Sequence, residues 1–369
     1  MKTNGRSVAV GLSGGVDSCM AAWLLKRDGW RVTGLTMSMW DGSVAALDAG
    51  FAGCFGPGEA KHLAAAKANA ERLGVEHQVV RLAAEYKETV LGYFRKEYLA
   101  GRTPNPCVRC NQQMKFGFLL SRAKELGVEF DYFATGHYAR VQRNEASGRW
   151  LLRRGRDATK DQSYFLSRLL QDQLAKLLFP LGEWRKEDVK KLAAEQGLAD
   201  VAVQTESQDF VESKDYGVLF RPDDAAPGDF VTRDGRVLGR HRGILHYTIG
   251  QRKGLALGGG GTPWYVLEID AARNRVVVGP QSELFHNVLI AGEINWLALA
   301  GPPEQPFRCA VQIRQQHKAA PATAHATAVG QIRVEFDEPQ LSITPGQVAV
   351  LYDGDNVLAS GIIEKLPQI

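Results

Sequence analysis

Two sets of residues in this 369-residue chain could do chemistry. The first is Ser13-Gly14-Gly15-Val16-Asp17-Ser18, which follows the apolar run Val8 to Leu12 and leads into a helical pattern. Adjacent glycines let the backbone turn sharply and present bare N–H groups, a helix N-terminus adds positive potential, and the serines add hydroxyl donors. Such a loop cradles an anion. It has neither the Gly-Lys-Ser/Thr used for β/γ-phosphate chemistry nor the Gly-x-Gly-x-x-Gly of dinucleotide sites.

The second set is Cys107 and Cys110, spaced by two residues. One turn of backbone brings both thiols to the same point, where they can exchange a disulfide, bind a metal or share a cluster. A purely structural zinc site needs more nearby ligands than the sequence offers. Cys54 lies in the glycine-rich segment Gly50 to Gly58, free to reach a site, and is the best third thiol; Cys19 and Cys309 read as small core residues. Five cysteines fit no disulfide framework.

Elements must position these groups. Through about residue 135, short apolar runs alternate with helical patterns, the signature of a parallel sheet flanked by helices. Ser7 to Leu12, Arg31 to Met37, Glu76 to Leu82 and Tyr132 to Thr135 read as strands; Val16 to Arg27 and Glu59 to Leu73 read as helices, the latter closed by Gly74. Gly101 to Pro106 breaks the next helical pattern, which resumes at Phe116. After a helical stretch near Glu187 to Gln196 the composition shifts toward Gly, Pro and Asp, and from Phe307 short alternating runs recur, as a β-barrel would give. We therefore expect an α/β class: an N-terminal doubly wound parallel sheet over residues 1–200, a small central linking domain over 201–280 and a C-terminal β-barrel over 281–369.

With 44% hydrophobic and 23% charged residues the chain reads as globular, and no apolar run approaches the ~18 residues of a spanning helix. Without a signal-peptide core or cleavage site, a cytoplasmic location is expected. The net charge is only +4, yet cations cluster in 149–160 and 233–253, which suits a phosphate backbone.

The Ser13–Ser18 string resembles the signature of the ATP pyrophosphatase superfamily, which splits ATP between the α and β phosphates. Alone it leaves open amidation, NAD synthesis, argininosuccinate synthesis and tRNA thiolation. Further strings narrow the choice: Gly101-Arg-Thr-Pro-Asn-Pro-Cys-Val-Arg-Cys-Asn111, Lys115-Phe116, Thr135-Gly-His-Tyr-Ala-Arg140, Lys160-Asp-Gln-Ser-Tyr-Phe-Leu166, His246-Tyr-Thr-Ile-Gly-Gln-Arg-Lys-Gly-Leu255 and Thr344-Pro-Gly-Gln347. In this order, over nearly the whole chain, they resemble the tRNA-specific 2-thiouridylase family.

The resemblance implies adenylation of the 2-carbonyl of the wobble uridine of tRNAs for Lys, Glu and Gln, with sulfur arriving as a persulfide from a cysteine desulfurase or a relay protein. It implies that Gly11, Leu12, Ser13, Gly14, Gly15, Val16, Asp17, Ser18, Met37 and Gly136 bind ATP, with Mg2+ on the triphosphate. Asn105 and Pro106 would border the flipped base, and Cys107, His137, Lys160, Asp161, Gln162, Arg314, Gln315 and Gln347 would contact tRNA. Cys110 takes the nucleophile position. The chain departs from the family at Cys107, where the pattern has Asp, and in Glu206–Glu212, where the pattern has a second cysteine. Cys107 with Cys110 can pass sulfur as a thiol pair, or with Cys54 can hold a 4Fe-4S cluster. An amidotransferase-type ligase lacks a visible glutaminase signature here, and a non-enzymatic RNA-binding module leaves the phosphate loop unexplained.

Overall fold

A computed structural model describes residues 5–44, 47, 53–202, 209–258, 263–327 and 330–364. The chain divides into two compact units, residues 1–90, 107–214 and 355–357, and residues 91–106, 215–354 and 358–369.

In the first unit, β1 (Ser7–Gly11), β2 (Arg31–Ser38), β3 (Gly53–Phe55), β4 (Glu76–Arg81), β5 (Tyr132–Ala134), β6 (Ala139–Arg143), β7 (Trp150–Arg154), β8 (Leu177–Leu178) and β9 (Asp209–Val211) follow in order. Five of them form a parallel sheet, β4-β2-β1-β5-β8. Val8, Ala9 and Val10 are 0–1% exposed, as a strand covered on both faces requires, which is why this stretch reads as unbroken apolar sequence. Helix α1 (Val16–Arg27) packs Cys19 and Met20 into the same core, and burial of Cys19 pushes its thiol up to about 11. Helix α2 (Glu59–Leu73) ends at Gly74 in the left-handed conformation, φ 58°, and the amide of Gly74 closes the last turn.

The helix expected from Phe116 begins ten residues earlier. Pro106 opens a helical turn through Arg109, and Cys110–Phe118 continue it as π-helix into Leu119–Glu125. Proline is pre-organised for a first helical position, so the residue read as a breaker is the start. Both cysteines of the pair therefore sit on helix.

In the second unit, β10 (Gly228–Val231), β11 (Val237–His241), β12 (Tyr265–Asp270) and β13 (Arg275–Gly279) form a small sheet, β11-β10-β13-β12. Strands β14 (Phe285–Trp296), β15 (Phe307–Gln312), β16 (Ala320–Ala326), β17 (Ile332–Leu341), β18 (Val348–Asp353) and β19 (Asn356–Ile363) form a closed barrel, β14-β17-β16-β15-β18-β19, with β14 pairing back on β19. Strand β14 gives its first half to β17 and its second to β19. Ala291 pairs with both, and an irregularity follows within the second pairing between Gly292 and Asn295, where Glu293 has φ 49°. Leu289, Val311, Val334, Leu351 and Ile363 fill the barrel at 0% exposure. The expected architecture is thus present: a doubly wound sheet, a small central domain and a C-terminal barrel. Among the described residues no helix is long and apolar enough to cross a membrane.

Candidate active site

The strand order reverses at β1, with β2 on one side and β5 on the other, and in open α/β sheets the crevice at such a point receives ligands. The loop after β1 is held from within. The Ser13 amide donates to Ser18 Oγ at 3.1 Å, Ser18 Oγ donates to the Gly15 carbonyl at 2.9 Å, and Asn69 Nδ2 donates to the Gly14 carbonyl at 2.8 Å. Gly14 has φ +88°, and a Cβ there would lie 2.9 Å from Ala65 Cβ, so glycine is required by both backbone and space. The first intrahelical bond of α1 runs from Cys19 to Gly15, which leaves the amides of Val16, Asp17 and Ser18 open for an anion.

Across the crevice lies Thr135-Gly136-His137. A Cβ on Gly136 would stand 2.6 Å from the Asp17 carbonyl carbon, so only glycine lets the two loops meet. Asp17 accepts from the Tyr138 hydroxyl at 2.8 Å and from Lys186 Nζ at 2.6 Å. Lys186, 6% exposed at the start of the helix Lys186–Glu195, was not visible as a site residue in sequence, because nothing local distinguishes it from a surface lysine.

A cavity of roughly 280 Å³ opens at this point. Gly11, Leu12, Ser13, Asp17, Ser18, Met37 and Gly136 line it together with Cys54, Cys107, Cys110, Lys115, His137 and Gln162. Gly14, Gly15 and Val16 shape the loop without lining the cavity, Gly14 and Val16 being buried. Two acids missed in the sequence organise its rim. Glu59, 7% exposed, accepts from the amides of Met39 and Trp40 and from Ser38 Oγ, fixing the chain beyond β2. Glu212, 2% exposed, accepts from the Gly58 amide at 2.8 Å, and Gly56 and Gly58 are glycines because a Cβ at either would overlap this carboxylate.

Cys54 reaches the cavity because β3 pairs in parallel with β9, Gly53 opposite Asp209 and Phe55 opposite Val211. This strand is the end of the segment where the family pattern has its second cysteine; Glu206, Ser207 and Gln208 lie outside the described residues. Burial raises Cys107 to about 12, with Cys54 and Cys110 pushing it further and Lys115 opposing; burial raises Cys110 to about 11, against Lys115 and with Cys54. Cys54 itself is exposed. Among the described residues no three His, Cys, Asp or Glu side chains are gathered closely enough to hold a single metal ion.

His137 shares a 2.7 Å hydrogen bond with Thr135 Oγ1, packs against Phe116 and Phe179, and is held well below the usual histidine range by burial and by Lys115. It offers a neutral imidazole. Gln162 exchanges bonds with the Tyr138 backbone, its Oε1 accepting at 2.9 Å. The Asp161 carboxylate accepts from Arg154, from Ser163 Oγ and from the amides of Gly155 and Ser163, which anchors the segment beginning at the half-buried Lys160. In the second unit, Gln347 Nε2 donates to the carbonyls of Thr103 and Pro104, just before Asn105 and Pro106; Arg314 Nη1 donates to the Leu341 carbonyl, and Gln315 is exposed with its carbonyl accepting from Gln312.

A pyrophosphate-type loop at a switch point, facing thiols in one cavity, defines the class: a nucleotide-using α/β domain joined to two β domains. Three family profiles match in order: "tRNA methyl transferase HUP domain" over residues 6–212, "tRNA methyl transferase PRC-barrel domain" over 220–280 and "Aminomethyltransferase beta-barrel domain" over 286–363. The chain is 43% identical to the tRNA-specific 2-thiouridylase MnmA of Endomicrobium trichonymphae over 96% of this chain and 98% of that protein. It is 43% identical to that of Carboxydothermus hydrogenoformans over 98% of each, and 40% identical to that of Clostridioides difficile over 98% of each. The chain belongs to the tRNA-specific 2-thiouridylase family.

Proposed function

We propose that this cytoplasmic enzyme uses ATP to adenylate the 2-carbonyl oxygen of a tRNA wobble uridine, in tRNAs for Lys, Glu and Gln, and then replaces that oxygen with sulfur. The observation that carries this reading is the single cavity lined both by the phosphate loop and by Cys107 and Cys110. ATP lies along the loop, with Mg2+ balancing the triphosphate; the uridine oxygen attacks the α-phosphorus and pyrophosphate leaves. Residues 1–200 bind and adenylate, 201–280 link, and 281–369 contact tRNA. Asn105 and Pro106 border the flipped base, and Lys160, Gln162, Arg314, Gln315 and Gln347 contact the tRNA.

Sulfur arrives as a persulfide on Cys110, supplied by a cysteine desulfurase or relay protein. Its terminal sulfur adds to C2 and the C2–O bond breaks with its electron pair leaving on AMP. Cys107 then attacks the Cys110 sulfur, which releases the 2-thiouridine sulfur and leaves a Cys107–Cys110 disulfide for a dithiol to reduce. Pairing of both thiols on one helical turn supports this exchange.

A second reading rests on Cys54, which shares the cavity wall with the pair. Three soft thiol donors around one space fit a 4Fe-4S cluster, whose three-cysteine ligation leaves one iron free to bind sulfide when the cluster is present. Cys54, Cys107 and Cys110 would be its ligands.

The test is a single incubation of enzyme, ATP, tRNA and a persulfide donor. Pyrophosphate release that depends on tRNA, with 2-thiouridine in the digested product, is expected; orthophosphate as first product would overturn the assignment.

A further inference from the structure

Lys115 takes no part in the chemistry described so far, yet it stands inside the cavity. It is half-buried on the π-helix Cys110–Phe118. Among the described residues it is the one lysine or arginine in the lining, and no carboxylate pairs with it. Both acids that line the cavity are engaged elsewhere, Asp17 by Lys186 and Tyr138, Glu59 by the Met39 and Trp40 amides. Its charge acts on Cys107, on Cys110 and on His137, and His137 follows the Gly136 that abuts Asp17. Lys115 thus shares one cavity with both the thiols and the phosphate loop. A cation held in a recess without a counter-charge is costly unless an anion is delivered to it.

We propose that Lys115 is a catalytic residue whose ammonium binds the α-phosphate, first in ATP and then in the uridine adenylate. It stabilises the negative equatorial oxygens of the α-phosphorus in the transition state as pyrophosphate leaves with its electron pair, and then the charge that grows on AMP as the C2–O bond breaks. The lysine keeps its proton throughout, so no further acid or base is needed. This inference rests on the adenylation reading above.

Wild-type enzyme, Lys115→Met, Lys115→Gln, Lys115→Arg and the exposed Lys124→Met are compared by single-turnover pyrophosphate release with saturating ATP and tRNA, alongside thermal melts. Losing one charge donor to a transition state costs about 100- to 1,000-fold. That loss is expected for the Met and Gln variants with melts close to wild type, a smaller loss for Arg, and none for Lys124→Met. Wild-type pyrophosphate release in Lys115→Gln overturns the proposal, whether or not thiolation persists. If wild-type enzyme itself shows no tRNA-dependent pyrophosphate, the adenylation reading fails instead.

Discussion

Lys186 Nζ donates to Asp17 Oδ2 at 2.6 Å, which ties the helix Lys186–Glu195 to the first turn of the helix that follows the phosphate loop. The lysine side chain is 7% exposed and the aspartate 27%. Asp17 Oδ1 also accepts from Tyr138, so both carboxylate oxygens are held.

Removing one partner of such a pair strands the other charge. For Lys186→Met we expect a loss of about 2–4 kcal/mol, toward the low end of the buried-pair range because water reaches Asp17. Pyrophosphate release should fall with it, since the first-turn amides shift when Asp17 does. Urea midpoints and the pyrophosphate assay check this. An unchanged midpoint would show that Lys186 does not anchor the loop.

Gly136→Ala tests the contact between the two loops directly. The added methyl would lie 2.6 Å from the Asp17 carbonyl carbon and 2.8 Å from its Cβ, so the loops must part. Overpacking of this kind costs about 1–3 kcal/mol, and a displacement of about 1 Å at a reacting group costs about 100-fold in rate. Calorimetric ATP binding should weaken at least tenfold by the same displacement. Full ATP affinity in the variant would contradict the loop geometry.

What sequence disclosed and what it hid have a common physical basis. The doubly wound sheet was legible because β1 is covered on both faces and α2 closes on Gly74, both local features. The barrel was legible in the short alternating runs that recur from Phe307, whereas β14 and β16 carry a weaker signal. Strand β14 changes partners midway, and Ala320–Ala326 is mostly alanine with little alternating contrast. Cys107, Cys110 and the loop could be named from spacing. Lys186, Glu59 and Glu212 could not, since each acts on residues 19 to 169 positions away.

Acid should destabilise the protein from about pH 6.5 downward. His77, His137, His241, His246, His286 and His317 are all held below the ordinary value of 6.5, in each case chiefly by burial. A depressed histidine favours the neutral form in the native state. Its contribution is therefore complete above 6.5 and is lost as pH falls toward the native value, because the unfolded chain binds the proton first. Each proton bound only by the unfolded state gives a slope approaching about 1.4 kcal/mol per pH unit. His137→Asn should flatten the decline between pH 6.5 and 5.5 in urea titrations. An unchanged slope would mean that His137 titrates normally.

The choice between the two sulfur mechanisms turns on Cys54. The β3–β9 ladder sets Phe55 opposite Val211 and brings Cys54 to the wall that holds Cys107 and Cys110, in the same part of the fold where the family pattern has its second cysteine. The thiol-pair mechanism needs nothing from it, because Cys110 carries the sulfur and Cys107 resolves it within one helical turn. Cys110→Ala should therefore abolish thiolation while ATP still binds, and Cys54→Ser should keep most activity in aerobic, colourless protein given a persulfide donor. The cluster mechanism requires all three thiols. If protein purified without oxygen is brown, contains about four irons and loses both colour and thiolation on Cys54→Ser, the thiol-pair mechanism is wrong and the three cysteines are cluster ligands.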